Sequence, residues 1–159
     1  MKKFLTYALG FLCIAVVFVV LAPVLVTPNH EHKTLCLSNL KQIATGTLIY
    51  VSDYDERYPP AADWSDSLAE LVRRPSVFYC PVLRKEVEWG YGYAYNSRAS
   101  SALIPEDQRA TFPLVYDSIN LAPKSSDPFT SFPSEPRHES GNNIAYADGH
   151  VKRVSSAKP

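Results

Sequence analysis

The sequence predicts an α+β fold in which a long N-terminal helix, membrane-spanning in its first half, packs on a small antiparallel sheet ending in a β-hairpin. Three observations lead there: an uncharged apolar run from Phe4 to Val26, helical spacing of apolar residues after Asn29, and an Asp148-Gly149 pair between two strand-like runs. Length and charge set the frame. The chain has 159 residues, and 16 basic side chains balance 16 acidic ones, so one modest domain plus an anchor is expected and a basic nucleic-acid footprint is absent. Its 13 prolines, most of them after Pro59, favour short elements and ordered loops in that half and argue against an all-helical chain.

The run from Phe4 to Val26 is interrupted only by Thr6, Tyr7, Gly10 and Pro23. As a helix it would be about 35 Å long at about 1.5 Å per residue, against a hydrocarbon core of roughly 30 Å. Lys2 and Lys3 precede it, while the exit from Thr27 to Lys33 carries only Lys33 with Glu31 nearby, so the charge bias puts the N-terminus in the cytoplasm. A cleaved secretory signal is the rival reading. The run is longer than the usual apolar core of such signals, and Val24-Leu25-Val26 lacks the small residues of a cleavage site. An uncleaved anchor over 1–28 is therefore expected, in a bacterial cytoplasmic membrane, with the rest of the chain outside.

From Asn29 to Tyr58 the residues Cys36, Leu40, Ile43, Thr47 and Val51 recur at steps of four and three, which predicts a helical spine with an inward stripe. Asn29 can cap it, and Pro59-Pro60 ends it. The remainder, 59–159, forms one small α+β domain with this spine. A short helix is expected over about Ser65 to Arg73, stopped by Pro75. Strands are expected at Val77-Phe78-Tyr79, Tyr91 to Tyr95, Pro113 to Tyr116, Asn143 to Ala147 and His150 to Val154. The Asp148-Gly149 turn, read as two residues with positive φ, sets Tyr146 opposite Val151. Ile144 and Tyr146 then share the face that packs on the spine.

Cys36 and Cys80 fall in the exported part, one on the inward stripe and one after an apolar run, where an oxidising compartment permits a disulfide. Two buried thiols are the alternative. Cys13 lies in the apolar run and needs no partner.

Asp117, His138, Asp148 and His150 are the weak candidates for a metal or proton-transfer site, since imidazole and carboxylate together do either chemistry. Turn chemistry at Asp148, a strand end at Asp117 and a loop-fixing hydrogen bond at His138 explain them as structure instead. No Gly-rich phosphate loop and no nucleophile elbow occur, so the sequence gives catalysis no positive support. The aromatics Tyr79, Trp89, Tyr91, Tyr93 and Tyr95 suit the core of a small sheet or, on an exposed strand, a glycan- or peptide-binding surface.

The spacing of His138 to Asp148-Gly149, with nine residues between, carries a resemblance. With Cys36-Leu37-Ser38-Asn39-Leu40-Lys41-Gln42-Ile43, Tyr54-Asp55-Glu56, Phe78-Tyr79-Cys80-Pro81, Tyr91-Gly92-Tyr93 and Leu114 to Ser118, the chain resembles the pilin-like proteins that carry the prepilin-processing-associated C-terminal signature. The resemblance implies a pilin- or pseudopilin-like structural protein with a bilayer and other pilin-like subunits or secretion components as partners, of the type II secretion or type IV pilus kind. The signature residues His138, Asp148 and Gly149 are read as architectural, on the turn and loop chemistry given above. The chain departs from the prepilin pattern at Ala15, which follows Gly10-Phe11 where a Glu is expected. No cofactor is expected; calcium enters only because related pseudopilins hold it in C-terminal loops, and the dense carboxylate spacing of a calcium loop is missing. An anchored binding module and a metalloenzyme are the alternatives.

Overall fold

The computed structural model describes residues 16, 31–83, 91–138 and 140–155. The chain divides into two units, Met1–Glu31 and His32–Pro159, and the sheet and core lie in the second. Helix α1 runs over Glu31–Asp53. A short helix α2, Trp64–Ala69, and a 3-10 turn, Pro75–Phe78, lead to strand β1, Tyr93–Asn96. A second 3-10 turn, Ser97–Ala99, and a one-turn helix α3, Glu106–Arg109, connect it to β2, Pro113–Asp117. The short β3, Ser126–Asp127, precedes β4, Asn142–Tyr146, and β5, Val151–Val154.

The sheet has the order β3-β1-β2-β4-β5. Strands β1, β2, β4 and β5 pair antiparallel in succession, but β3 runs parallel to β1, so the sheet is mixed rather than antiparallel throughout. The long-helix architecture expected from the sequence is corrected too. α1 is 23 residues long and carries Glu31, Lys33, Lys41 and Asp53, whereas a span needs about 20 predominantly apolar residues. Among the described residues no helix is long and apolar enough to cross a membrane. The expected anchor, with Cys13 and Ala15, lies outside the described residues apart from Val16. The fold is an α+β unit with a mixed five-stranded sheet, and the single-pass placement in a bacterial cytoplasmic membrane is withdrawn.

The inward stripe of α1 is as its spacing implies: Cys36, Leu40, Ile43, Ala44, Thr47 and Val51 are all buried. They share one core with Trp64, Leu68, Tyr93, Tyr95, Val115, Ala145 and Ala147. Burial of these apolar side chains stabilises by about 25 cal/mol per Å² removed from water. Aromatic hydroxyls reaching into this core are paired: Tyr58 Oη donates to Ala147 O at 2.7 Å and Tyr95 Oη to Pro59 O at 3.0 Å. Because side chains alternate along a strand, Ala94, Tyr116, Ile144 and Tyr146 point the other way. They form a second cluster covered by Phe129 and Phe132.

Two local expectations are overturned. Val77-Phe78 belongs to a 3-10 turn begun by Pro75, not to a strand; Pro fixes φ and a three-residue apolar run does not itself distinguish strand from turn. The terminal hairpin closes through three residues rather than two. Gly149 N donates to Tyr146 O and Tyr146 N donates to His150 O, both at 2.9 Å, and of the two expected positions only Gly149 has positive φ, at 87°. That is a turn followed by a left-handed bulge residue, and it moves the register by one, so that Val151 faces Ala145. Ala145 and Ala147 consequently face the α1 side, while Ile144 and Tyr146 face away from it. The turn still rests on the helix, since Lys41 Nζ donates to Gly149 O at 2.7 Å.

Candidate functional site

Asp117 ends β2, and its side chain is fully buried. Asp117 Oδ2 accepts from the backbone N–H of Asn143 at 2.6 Å and from His138 Nε2 at 3.0 Å. With the carboxylate as acceptor, the ring proton sits on Nε2. His138 is held by its own backbone, which exchanges two hydrogen bonds with Gly141 across a tight turn at 3.0 and 2.8 Å. Arg137 completes the charge balance: its Nη1 lies 3.6 Å from Asp117 Oδ1 and donates to Gly92 O at 2.6 Å, and its Nη2 donates to Ser118 O. Asn142 closes the same region, donating to Pro133 O and Glu135 O while its Oδ1 accepts from Arg137 N.

The other side of the site comes from distant sequence. Cys36 on α1 and Cys80 after the 3-10 turn are buried free thiols with their Sγ atoms 2.9 Å apart. The two residues expected to form a disulfide thus lie side by side as free thiols, and two sulfurs are also the donors a soft metal ion takes. The hydrogen bond between them brings the Cys80 thiol down to about 7, against the opposing effect of burial. The same hydrogen bond, then burial, pushes Cys36 up. One sulfur therefore holds the proton that the other accepts, as in paired thiols generally. Tyr93 Oη donates to Cys36 O at 3.4 Å, and burial drives its phenol well up from the ordinary range.

Gly92 lets these parts meet. Its φ is +76°, and a Cβ there would come within 2.6 Å of Leu83 Cδ1 and 2.9 Å of Cys80 Cβ. Only glycine combines that conformation with so close an approach. Cys80 N donates to Tyr91 O at 2.9 Å and Ser118 N to Gly92 O at 2.9 Å, which tie the cysteine loop to the end of β2. As a result Cys36, Cys80 and His138 each offer a ligand atom within 4.8 Å of the others.

Asp117 and His138, two of the sequence candidates, are therefore brought together. Asp148 is not: it sits on the hairpin turn and accepts from His150 N at 3.0 Å, with His150 Nδ1 at 2.6 Å. The backbone N–H and ring of His150 hold its carboxyl below the usual range, outweighing a partial burial that pushes it up. The aromatic centre divides as well. Tyr93 and Tyr95 are fully buried, so they are core rather than a stacking platform; Tyr79 and Tyr91 are half-buried, and Trp89 lies outside the described residues.

Sequence reasoning treated the cysteines and the His138 signature separately and missed that they converge. It also missed Arg137, although a cation next to the signature histidine was a usable signal once Asp117 was suspected. Asp127 was missed too: its Oδ1 accepts from Tyr116 Oη at 2.7 Å and from Thr130 N at 2.5 Å, and the Asp-x-x-Thr-Ser spacing is a turn signature. No family model, no curated protein and no solved structure matches the chain.

Proposed function

We propose that the chain is a non-catalytic structural protein that works by packing against other protein subunits. The observation behind this reading is that the carboxylates of Asp117 and Asp148 are engaged by the fold itself, and that His138 is fully buried beside Asp117. Asp117 Oδ2 is taken by Asn143 and His138, its Oδ1 has no hydrogen-bond partner but lies 3.6 Å from the Arg137 guanidinium, and Asp148 serves its own turn. A general acid or base must instead reach a substrate atom within hydrogen-bond range. A surface hollow of about 230 Å³ beside Asn96, Arg98, Gln108 and Phe112 contains none of these residues. The sequence resemblance to proteins that assemble into secretion and pilus structures points the same way. Exposed apolar residues are available for contact, Leu35 and Ile49 on α1 at 42% each and Ile119 at 66%.

The reading is tested by pairing melting curves with activity screens. Asp117→Asn and His138→Gln should lower the melting temperature, and neither the parent nor the variants should turn over ester, glycan or phosphodiester substrates. An activity that disappears in Asp117→Asn at unchanged melting temperature would overturn it. Photo-crosslinking from Ile49 or Ile119 in the native cell should yield covalent adducts with a discrete protein, and uniformly monomeric, adduct-free chain would count against subunit packing.

A further inference from the structure

We propose that Cys36, Cys80 and His138 form a binding site for one thiophilic divalent ion of the zinc class, with Asp117 orienting the histidine from behind. This goes beyond the structural role above and does not depend on it. The three ligands come from α1, from the loop after the 3-10 turn at Pro75–Phe78, and from the loop before β4, and all are buried. Their ligand atoms already lie within 4.8 Å of one another.

The histidine supplies the independent observation. Its side chain is fully buried, Nε2 is committed to Asp117, and Nδ1 is left without a hydrogen-bond partner. A buried polar atom left unpaired costs about 1–3 kcal/mol, so an arrangement that gives it a partner is favoured. With the proton on Nε2, the free lone pair is on Nδ1, the state a metal requires. A ligating imidazole whose other nitrogen donates to a carboxylate is also the usual way of fixing its ring and tautomer.

Donor type and charge select the ion. Two sulfurs and an imidazole suit zinc, whereas calcium and magnesium take oxygen ligands. Two thiolates neutralise a divalent cation, and Asp117 is already opposite Arg137, so the filled site carries no net charge into the core. A monovalent copper ion would leave one negative charge uncompensated. On binding, the two S–H bonds ionise, their protons pass to solvent, and two metal–sulfur bonds and one metal–nitrogen bond form without any oxidant. The fourth tetrahedral position is left to a small added ligand such as water. A Cys36–Cys80 disulfide is the competing fate of the sulfurs. It would surrender two electrons to a disulfide oxidant and still leave Nδ1 unpaired, and that orphaned nitrogen, rather than the 2.9 Å sulfur separation, favours the ion.

The experiment uses the full chain in a Cys13→Ser background, reduced and stripped of metal, then titrated with zinc against a chromophoric chelator and separately with cobalt(II). One equivalent of zinc should bind, the cobalt form should show sulfur-to-metal charge transfer with tetrahedral ligand-field bands, and the melting temperature should rise and fall back on chelation. Asp117→Asn should weaken zinc binding about 10- to 100-fold with its stoichiometry kept. Cys36→Ala combined with Cys80→Ala should abolish it, and exposed His150→Ala should leave it unchanged. The proposal falls if the reduced, folded parent takes up no zinc, if its cobalt form lacks the sulfur band, or if a folded double-alanine variant binds as the parent does. It falls equally if the chain isolated from cells carries a Cys36–Cys80 disulfide and, after reduction, still binds no zinc.

Discussion

Two aspartate–histidine pairs flank the C-terminal half of the signature and invite comparison. Asp117 and His138 meet at 3.0 Å with neither side chain exposed, while Asp148 and His150 meet at 2.6 Å with side chains 35% and 44% exposed. The shorter contact is the weaker device. Water screens the exposed pair and competes for both partners, so such contacts typically contribute about 0–1 kcal/mol. In the buried pair each group has been stripped of water, and removal of one leaves the other without compensation. The difference teaches that the second half of the signature, Asp148-Gly149, shapes a turn, whereas His138 closes a core.

The largest effect is therefore expected from Asp117→Ala, which leaves His138 and Asn143 N–H unpaired and Arg137 unbalanced, at a cost of about 3–5 kcal/mol in denaturant unfolding. A loss below about 1 kcal/mol would erase the contrast between the pairs. Next comes Gly149→Val. The φ of +87° and a Cβ 2.5 Å from Leu48 Cδ1 should together cost about 2 kcal/mol, read as an earlier midpoint with unchanged slope. Tyr58→Phe removes the donor to buried Ala147 O, beside the same turn, and should cost about 1–2 kcal/mol.

Asp148→Asn is expected to change stability by less than about 0.5 kcal/mol, because Asn accepts from His150 N equally well and suits a turn. A large loss there would promote the exposed pair to the rank of the buried one. Smallest of all is a pH effect. Asp148 is held below its usual carboxylate range in the folded chain. Its contribution is accordingly present above the unfolded carboxylate pKa and fades as pH falls through the lower folded value. Solvent exposure keeps that contribution small, and urea melts of parent and Asp148→Asn over the acidic range should converge at the low end.

Much of this was legible in advance, for identifiable reasons. The α1 stripe was readable because a 3.6-residue period over several turns has no strand equivalent, and the hairpin because Asp-Gly punctuates two alternating runs. Its register was not readable, since a two-residue and a three-residue closure use the same Asp-Gly and differ only in whether Ala147 joins the turn. That single residue exchanges Ile144 and Tyr146 for Ala145 and Ala147 on the helix side. At the site, buried Cys36 followed from helical phase. His138 joining it did not, because that depends on a positive-φ Gly92 letting the Cys80 loop approach the end of β2. Such long-range coincidences leave no periodic trace in one sequence.

The order of the sheet has a consequence for how the molecule meets its neighbours. Its two outer strands are β3, two residues long, and β5, four residues long with Lys152 and Arg153 at its middle. Short margins are poor templates for strand addition, because another chain gains few backbone hydrogen bonds there, and at β5 an identical copy must also approach like charges. Among the described residues, ordered association is better served by side chains projecting from the faces of the sheet and helix, where individual substitutions can tune it.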